Sequence, residues 1–279
     1  MLTIISSSSN NSPIGFFDSG VGGLTVLKQF RNILPNEDCL YFGDTKNMPY
    51  GEKTDTELIE FADKIFRFFE AKGVKAVIMA CNTTSAVTYE KLKSNYNFKI
   101  YPIIQSVTKI LSALPVKEIG IMATKATINS RAYSQGIHKF NPEMKVVEIA
   151  CPGWVKIVEN RLEMAADSHN ELKNKLNEML VHNPEKIVLA CTHYPYLLPQ
   201  LSMYADKDLF IDPAAYFAQY IKEDLEKAGQ LNNSNKRGVE KFYVSASPEN
   251  FEKASSIFYN ISSKPELVNL NTPDMLQLQ

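Results

Sequence analysis

Two apolar runs in this chain end in the same way. KAVIMACNTT (75–84) and KIVLACTHY (186–194) each close a buried-looking run with Ala-Cys, then continue into small hydrogen-bonding residues. Superposing Cys81 on Cys191 gives an offset of 191 − 81 = 110 residues, and the Ile-Gly pairs at Ile14 and Ile119 give 119 − 14 = 105. Both copies keep one order, an Ile-Gly strand first and a cysteine-ended strand later. Such self-similarity marks two related structural units. Near-continuous apolar runs alternating with helical patterns belong to parallel strands covered on both faces. The expected fold is therefore α/β, with two similar doubly wound lobes whose mostly parallel sheets face each other across a cleft. The carboxyl ends of the strands should line that cleft.

Strands are expected at Ile14–Phe17, Cys39–Gly43, Ala76–Ala80, Ile119–Met122, Val146–Ile149, Lys186–Ala190 and Phe242–Val244. Helical spacing spans Gly23–Leu34, closed by Pro35, and Thr54–Lys72, ended by Gly73. Another helix is expected near Pro248–Tyr259, and the polar interval Asn232–Gly238 reads as a loop. Residues 1–12, rich in Ser and Asn, read as a flexible extension. The first lobe is expected to take residues 13–105 and, since the tail is too short for a third domain, 215–279 as well. Residues 106–214 make the second.

Composition removes several function classes. With 30 Lys+Arg against 31 Asp+Glu the net charge is −1, which gives no basic excess for nucleic acid. No apolar stretch approaches the roughly 18 residues of a membrane span, and MLTIISSSSNNSP lacks the basic start and apolar centre of a secretory signal. Cytoplasmic residence is the expectation. Cys39, Cys81, Cys151 and Cys191 are widely spaced and form no CxxC, so no metal site is expected. Cys39 and Cys151 read as small buried apolar residues.

A thiol on each lip of a cleft allows a specific reaction. Inverting a carbon centre by proton transfer needs a base on one face and an acid on the other, and two thiols, one ionised, supply both. A free thiol has a pKa of about 8.5, so the site must favour the thiolate through donors, a proton acceptor or a helix N-terminus. His193, two residues after Cys191, can exchange a proton with it, and Asp18 stands at the corresponding strand exit of the first lobe. Ser19, Asn82, Thr83 and Thr192 bring hydroxyl or amide groups suited to an amino-acid substrate, and helix-start N–H groups hold a carboxylate. Tyr50-Gly51, Thr124 and Thr127 would add to this wall. Taken singly, each residue has a plainer reading. DSGVGG is neither the dinucleotide fingerprint nor a P-loop, Asp18 suits a helix cap, and His193 and Tyr50 suit packing. The paired, ordered cysteines are what packing does not explain.

FDSGVGGLTVL (17–27), YFGDTKNMPYGEK (41–53), ACNTTSA (80–86), ATKATINSRAY (123–133) and ACTHYPYL (190–197) resemble, in content and order, the glutamate racemases of the aspartate/glutamate racemase superfamily. The resemblance implies two facing α/β lobes. It implies interconversion of L- and D-glutamate without pyridoxal phosphate or metal, supplying D-glutamate for peptidoglycan. On matching positions, Cys81 and Cys191 would transfer protons with Asp18 and His193 assisting, while Ser19, Tyr50, Gly51, Asn82, Thr83 and Thr192 would hold the substrate. A homodimer is expected, with glutamate as the small-molecule partner. The chain departs from the usual pattern at Gln105-Ser106, where Glu-Pro is common, within Cys151–Glu159, and at Thr84, where alanine is common.

Overall fold

The computed structural model describes residues 9–271. β1 (Ile14–Asp18) passes through a glycine-rich turn into α1 (Leu24–Ile33) and β2 (Cys39–Gly43). A single 3-10 turn at Tyr50–Glu52 precedes α2 (Asp55–Ala71), β3 (Ala76–Met79) and α3 (Asn82–Leu92). α2 begins where Thr54 and Glu57 cap each other reciprocally, which satisfies two otherwise orphaned N–H groups. β4 (Lys99–Pro102) and α4 (Ile103–Ser112) lead to β5 (Glu118–Ala123), α5 (Lys125–Ser130), α6 (Ala132–His138) and β6 (Lys145–Ala150). Then come α7 (Trp154–Glu159), α8 (Ala166–Leu180), β7 (Lys186–Ala190), α9 (Leu198–Leu201) and β8 (Phe210–Ile211). α10 (Pro213–Lys227), β9 (Glu240–Val244), α11 (Pro248–Ser255) and β10 (Glu266–Leu267) complete the described chain.

Two sheets result, ordered β10-β9-β2-β1-β3-β4 and β6-β5-β7-β8, and every pairing is parallel. The order β2-β1-β3-β4 of the first recurs as β6-β5-β7-β8 in the second. Register recurs too. Ile14 stands opposite Ala76 and Ile119 opposite Lys186, and these pairs differ by the same 105 and 110 residues as the sequence repeat. Gly15 and Gly120 explain why Ile-Gly recurs. A Cβ on Gly15 would lie 2.8 Å from the Phe69 ring of α2, and one on Gly120 would lie 2.5 Å from Met179 Sδ of α8. In both lobes the glycine lets a covering helix close onto the strand.

β9 and β10 extend the first sheet, so the tail returns to that lobe. One buried ion pair fastens it directly, and a second holds it through the backbone of Gln230 and Asn232. Arg31 Nε of α1 meets Glu240 Oε1 of β9 at 2.8 Å, and Lys75 Nζ meets Glu37 Oε2 at 2.6 Å. Lys75 also donates to the Asn10 carbonyl. Of the expected N-terminal extension, residues 1–8 lie outside the described residues, and 9–12 form a turn that Lys75 and Gly229 hold. α11 stops at Ser255, short of the expected Tyr259, because the chain turns there and sends Phe258 between the lobes to pack against His193 and Tyr196.

Candidate active site

The carboxyl ends of β3 and β7 open into one cavity of about 620 Å³ between the lobes. Cys191 follows β7 directly and Cys81 follows β3 after Ala80, and Cys81 and Cys191 reach this cavity with 6% and 8% of their surface exposed. Cys81 occupies the N-cap of α3, where the partial positive charge of the helix start favours an anion. Cys191 enters the turn before Tyr194–Leu197. Ser19, Tyr50, Gly51, Asn82, Thr83, Thr124, Thr192 and His193 share the same wall. Asp18 and Thr127 do not reach it. They are buried behind it and act through neighbours.

The two thiols meet different surroundings. Cys191 Sγ lies 3.9 Å from His193 Nδ1, and His193 Nε2 lies 3.0 Å from Glu159 Oε1. Burial disfavours the imidazolium, but the hydrogen bonds and negative charge of Cys191 and Glu159 outweigh it and lift His193 to about 10. The imidazole therefore holds its proton beside the sulfur. Burial pushes the Cys81 thiol up to about 12, and the Asp18 carboxylate beside it adds to the rise. The hydroxyl and N–H of Thr84 pull the other way. Thr84 Oγ1 is buried without a full hydrogen bond, so it is free to tighten onto the sulfur when that ionises. The arrangement is asymmetric: Cys191 has the His193–Glu159 pair beside it, and Cys81 has Thr84 and the start of α3.

Asp18 is held up to shape the turn. Its carboxylate accepts from Gly20 N at 3.0 Å and from Thr192 Oγ1 at 3.3 Å, which links the lobes, and burial raises its pKa. The glycines of DSGVGG serve approach rather than phosphate. A Cβ on Gly22 would lie 2.4 Å from Thr192 Oγ1 and 2.6 Å from His193, and one on Gly23 would lie 2.5 Å from Asp18 Cβ. Thr83, Thr124 and Thr127 form a hydroxyl cluster across the cleft, with Thr83–Thr124 at 2.9 Å and Thr124–Thr127 at 3.0 Å. Gly51 approaches Thr124 from the other side, where a Cβ would lie 3.1 Å away.

Of three residues that sequence reasoning did not single out, Glu159 enters the site and Asp44 and Tyr133 support it from behind. Glu159 lines the cavity and pairs with His193; a histidine beside a cysteine signals the need for an acceptor but does not say where in the chain it lies. Asp44, fully buried, accepts hydrogen bonds from Tyr50, Asn47 and Ser245, and so fixes the Tyr50 ring in the wall. Tyr133 donates to Asn82 Oδ1 at 2.7 Å from the opposite lobe.

Residues 24–221 match the sequence pattern of the Asp/Glu/hydantoin racemase family. A protein of Caldanaerobacter subterraneus subsp. tengcongensis, "Glutamate racemase 2", is 38% identical over 250 residues, covering 89% of this chain and 93% of that protein. The glutamate racemase of Trichodesmium erythraeum is 36% identical over 265 residues, or 95% of this chain and 97% of its own. Among solved structures, the glutamate racemase of Francisella tularensis subsp. tularensis in complex with D-glutamate superposes with a TM-score of 0.87 at 32% identity. That match covers 94% of this chain and 99% of the other.

Proposed function

This chain belongs to the aspartate/glutamate/hydantoin racemase family, and we propose that it interconverts L- and D-glutamate. It is an isomerase, an amino-acid racemase that supplies D-glutamate for peptidoglycan. One observation carries the reading: two thiols on strand ends of different lobes share the wall of one cavity. The division into residues 13–105 with 215–279, and 106–214, belongs to this reading.

The reaction follows from that placement. One sulfur, as thiolate, removes the α-proton from one face of the substrate. The other, as thiol, delivers a proton to the opposite face, and the thiols end with their protonation states exchanged. Toward one enantiomer Cys191, with His193 and Glu159 beside it, is the base and Cys81 the acid. Turnover of the other enantiomer starts from the exchanged state, in which Thr84 and the start of α3 carry the charge on Cys81. Ser19, Thr83, Thr124 and Thr192 donate to the carboxylates, with Asn82 beside them and Tyr50 closing the wall. Asp18 and Thr127 keep their neighbours oriented from behind. A homodimer in the cytoplasm goes with this reading; no helix among the described residues is long and apolar enough to cross a membrane.

Incubating the protein with L-glutamate in deuterium oxide tests the function. Optical rotation should fall to zero while deuterium enters the α-position. Unchanged rotation, or turnover of aspartate in preference to glutamate, would reject it.

A further inference from the structure

One end of the Asn82 amide is tied and the other is loose. Its Oδ1 accepts the Tyr133 hydroxyl at 2.7 Å, while its Nδ2 is buried and has no hydrogen-bond partner. Asn82 is 3% exposed and lines the cavity; Tyr133 is fully buried on α6, in the second lobe. A buried amide donor left unmade is costly, so its place in a ligand cavity points to an acceptor that arrives with the ligand.

Tyr133 decides which end of the amide is left for that acceptor. Burial, and then an ionised Cys191, push its hydroxyl well above the usual tyrosine range, so it stays protonated and must donate. Asn82 Oδ1 is the one acceptor it has among the described residues. Turning the amide over would strand the tyrosine proton and present a carbonyl oxygen to an anionic ligand.

We propose that Tyr133 is a positioning residue for the reaction: its hydroxyl orients Asn82 so that Nδ2 donates to a carboxylate oxygen of the substrate. The contact crosses from one lobe to the other, so this donor is set only while the lobes hold their relative placement. The inference rests on the racemase reading above and adds a residue to it that does not itself touch substrate.

A double-mutant cycle tests it. Tyr133→Phe should raise KM for glutamate about tenfold and change kcat by less than about threefold, because the donor serves ground state and transition state alike. In an Asn82→Ala background the same substitution should have almost no further effect on KM, a coupling that a merely structural tyrosine would not show. An unchanged KM in Tyr133→Phe, or KM penalties that multiply across the cycle, would overturn the inference while leaving the racemase reading intact. A Tyr133→Phe chain that fails to fold while Asn82→Ala folds would assign the hydroxyl to folding and also overturn it. Absence of glutamate turnover by the unsubstituted enzyme would remove both readings together.

Discussion

Gly22 of the first lobe presses against Thr192 of the second so closely that a single methyl group on it would stand 2.4 Å from the threonine hydroxyl. This contact sets how near the DSGVGG turn comes to the turn holding Cys191 and His193. Gly22→Ala should therefore separate the two turns. We expect racemisation to drop by about tenfold or more, since displacements on the order of 1 Å at reacting groups cost up to a hundredfold. Stability should fall by about 1–3 kcal/mol from overpacking. Kinetics and urea unfolding on one preparation check both, and a fully active Gly22→Ala enzyme would refute the role given to this contact.

Cys81→Ser and Cys191→Ser should each reduce racemisation by on the order of a hundredfold or more, because each removes one of two acid–base partners. Each variant should still exchange the α-proton of one enantiomer, and not the same one. Proton NMR in deuterium oxide reads this directly. Near-normal racemisation by either variant is incompatible with the two-thiol assignment.

Thr84 is the nearest counterweight to the burial that pushes Cys81 up to about 12. Replacing it with alanine removes a donor to the thiolate and raises this pKa further. In a Cys191→Ser background, the pH midpoint for alkylation of Cys81 should move upward by on the order of one unit, and Thr84→Ser should restore it. An unmoved midpoint would show that the hydroxyl does not reach the sulfur.

Glu159→Gln should lower His193 from about 10 toward the ordinary imidazole value of about 6.5. A group whose folded pKa is raised lends stability that is complete below its unfolded pKa and is lost as pH rises through the folded one. The variant should thus be less stable by about 1–3 kcal/mol below pH 6.5, with the deficit closing by about pH 10. Denaturant unfolding across that range gives the slope. The kcat values for the two enantiomers should fall unequally, since only Cys191 has this support.

The repeat carried most of the fold. Two Ile-Gly strands and two cysteine-ended strands took equivalent places in two sheets with equivalent register. β4 escaped because it is four residues long, begins with exposed Lys99 and ends in Pro102, so no pattern distinguishes it from a loop. β8 and β10 have two residues each, too few for periodicity to register. At the site, residues adjacent in sequence to a cysteine or to DSGVGG were readable, since strand ends place them together. Glu159 and Tyr133 were not, because each reaches its partner, 34 and 51 residues away, only through tertiary packing. Gly15, Gly22, Gly23 and Gly120 matter chiefly for what their missing side chains let approach, which no local pattern announces.

Because the two sheets repeat one strand order, the proposed reaction makes each lobe half an enzyme, able to take or give a proton at one face of a carbon but unable to invert it alone. Positions 105 and 110 residues apart correspond, which matches Ser19 with Thr124 and Asn82 with Thr192 but sets Asp18 against Ala123 and Thr83 against His193. Mirror-image isomers have equal free energies, so racemisation has an equilibrium constant of unity and kcat/KM must be identical in both directions. The mismatched positions therefore have no power over where the reaction ends. They can only decide which enantiomer is bound tightly and turned over slowly, and which is held loosely and released fast.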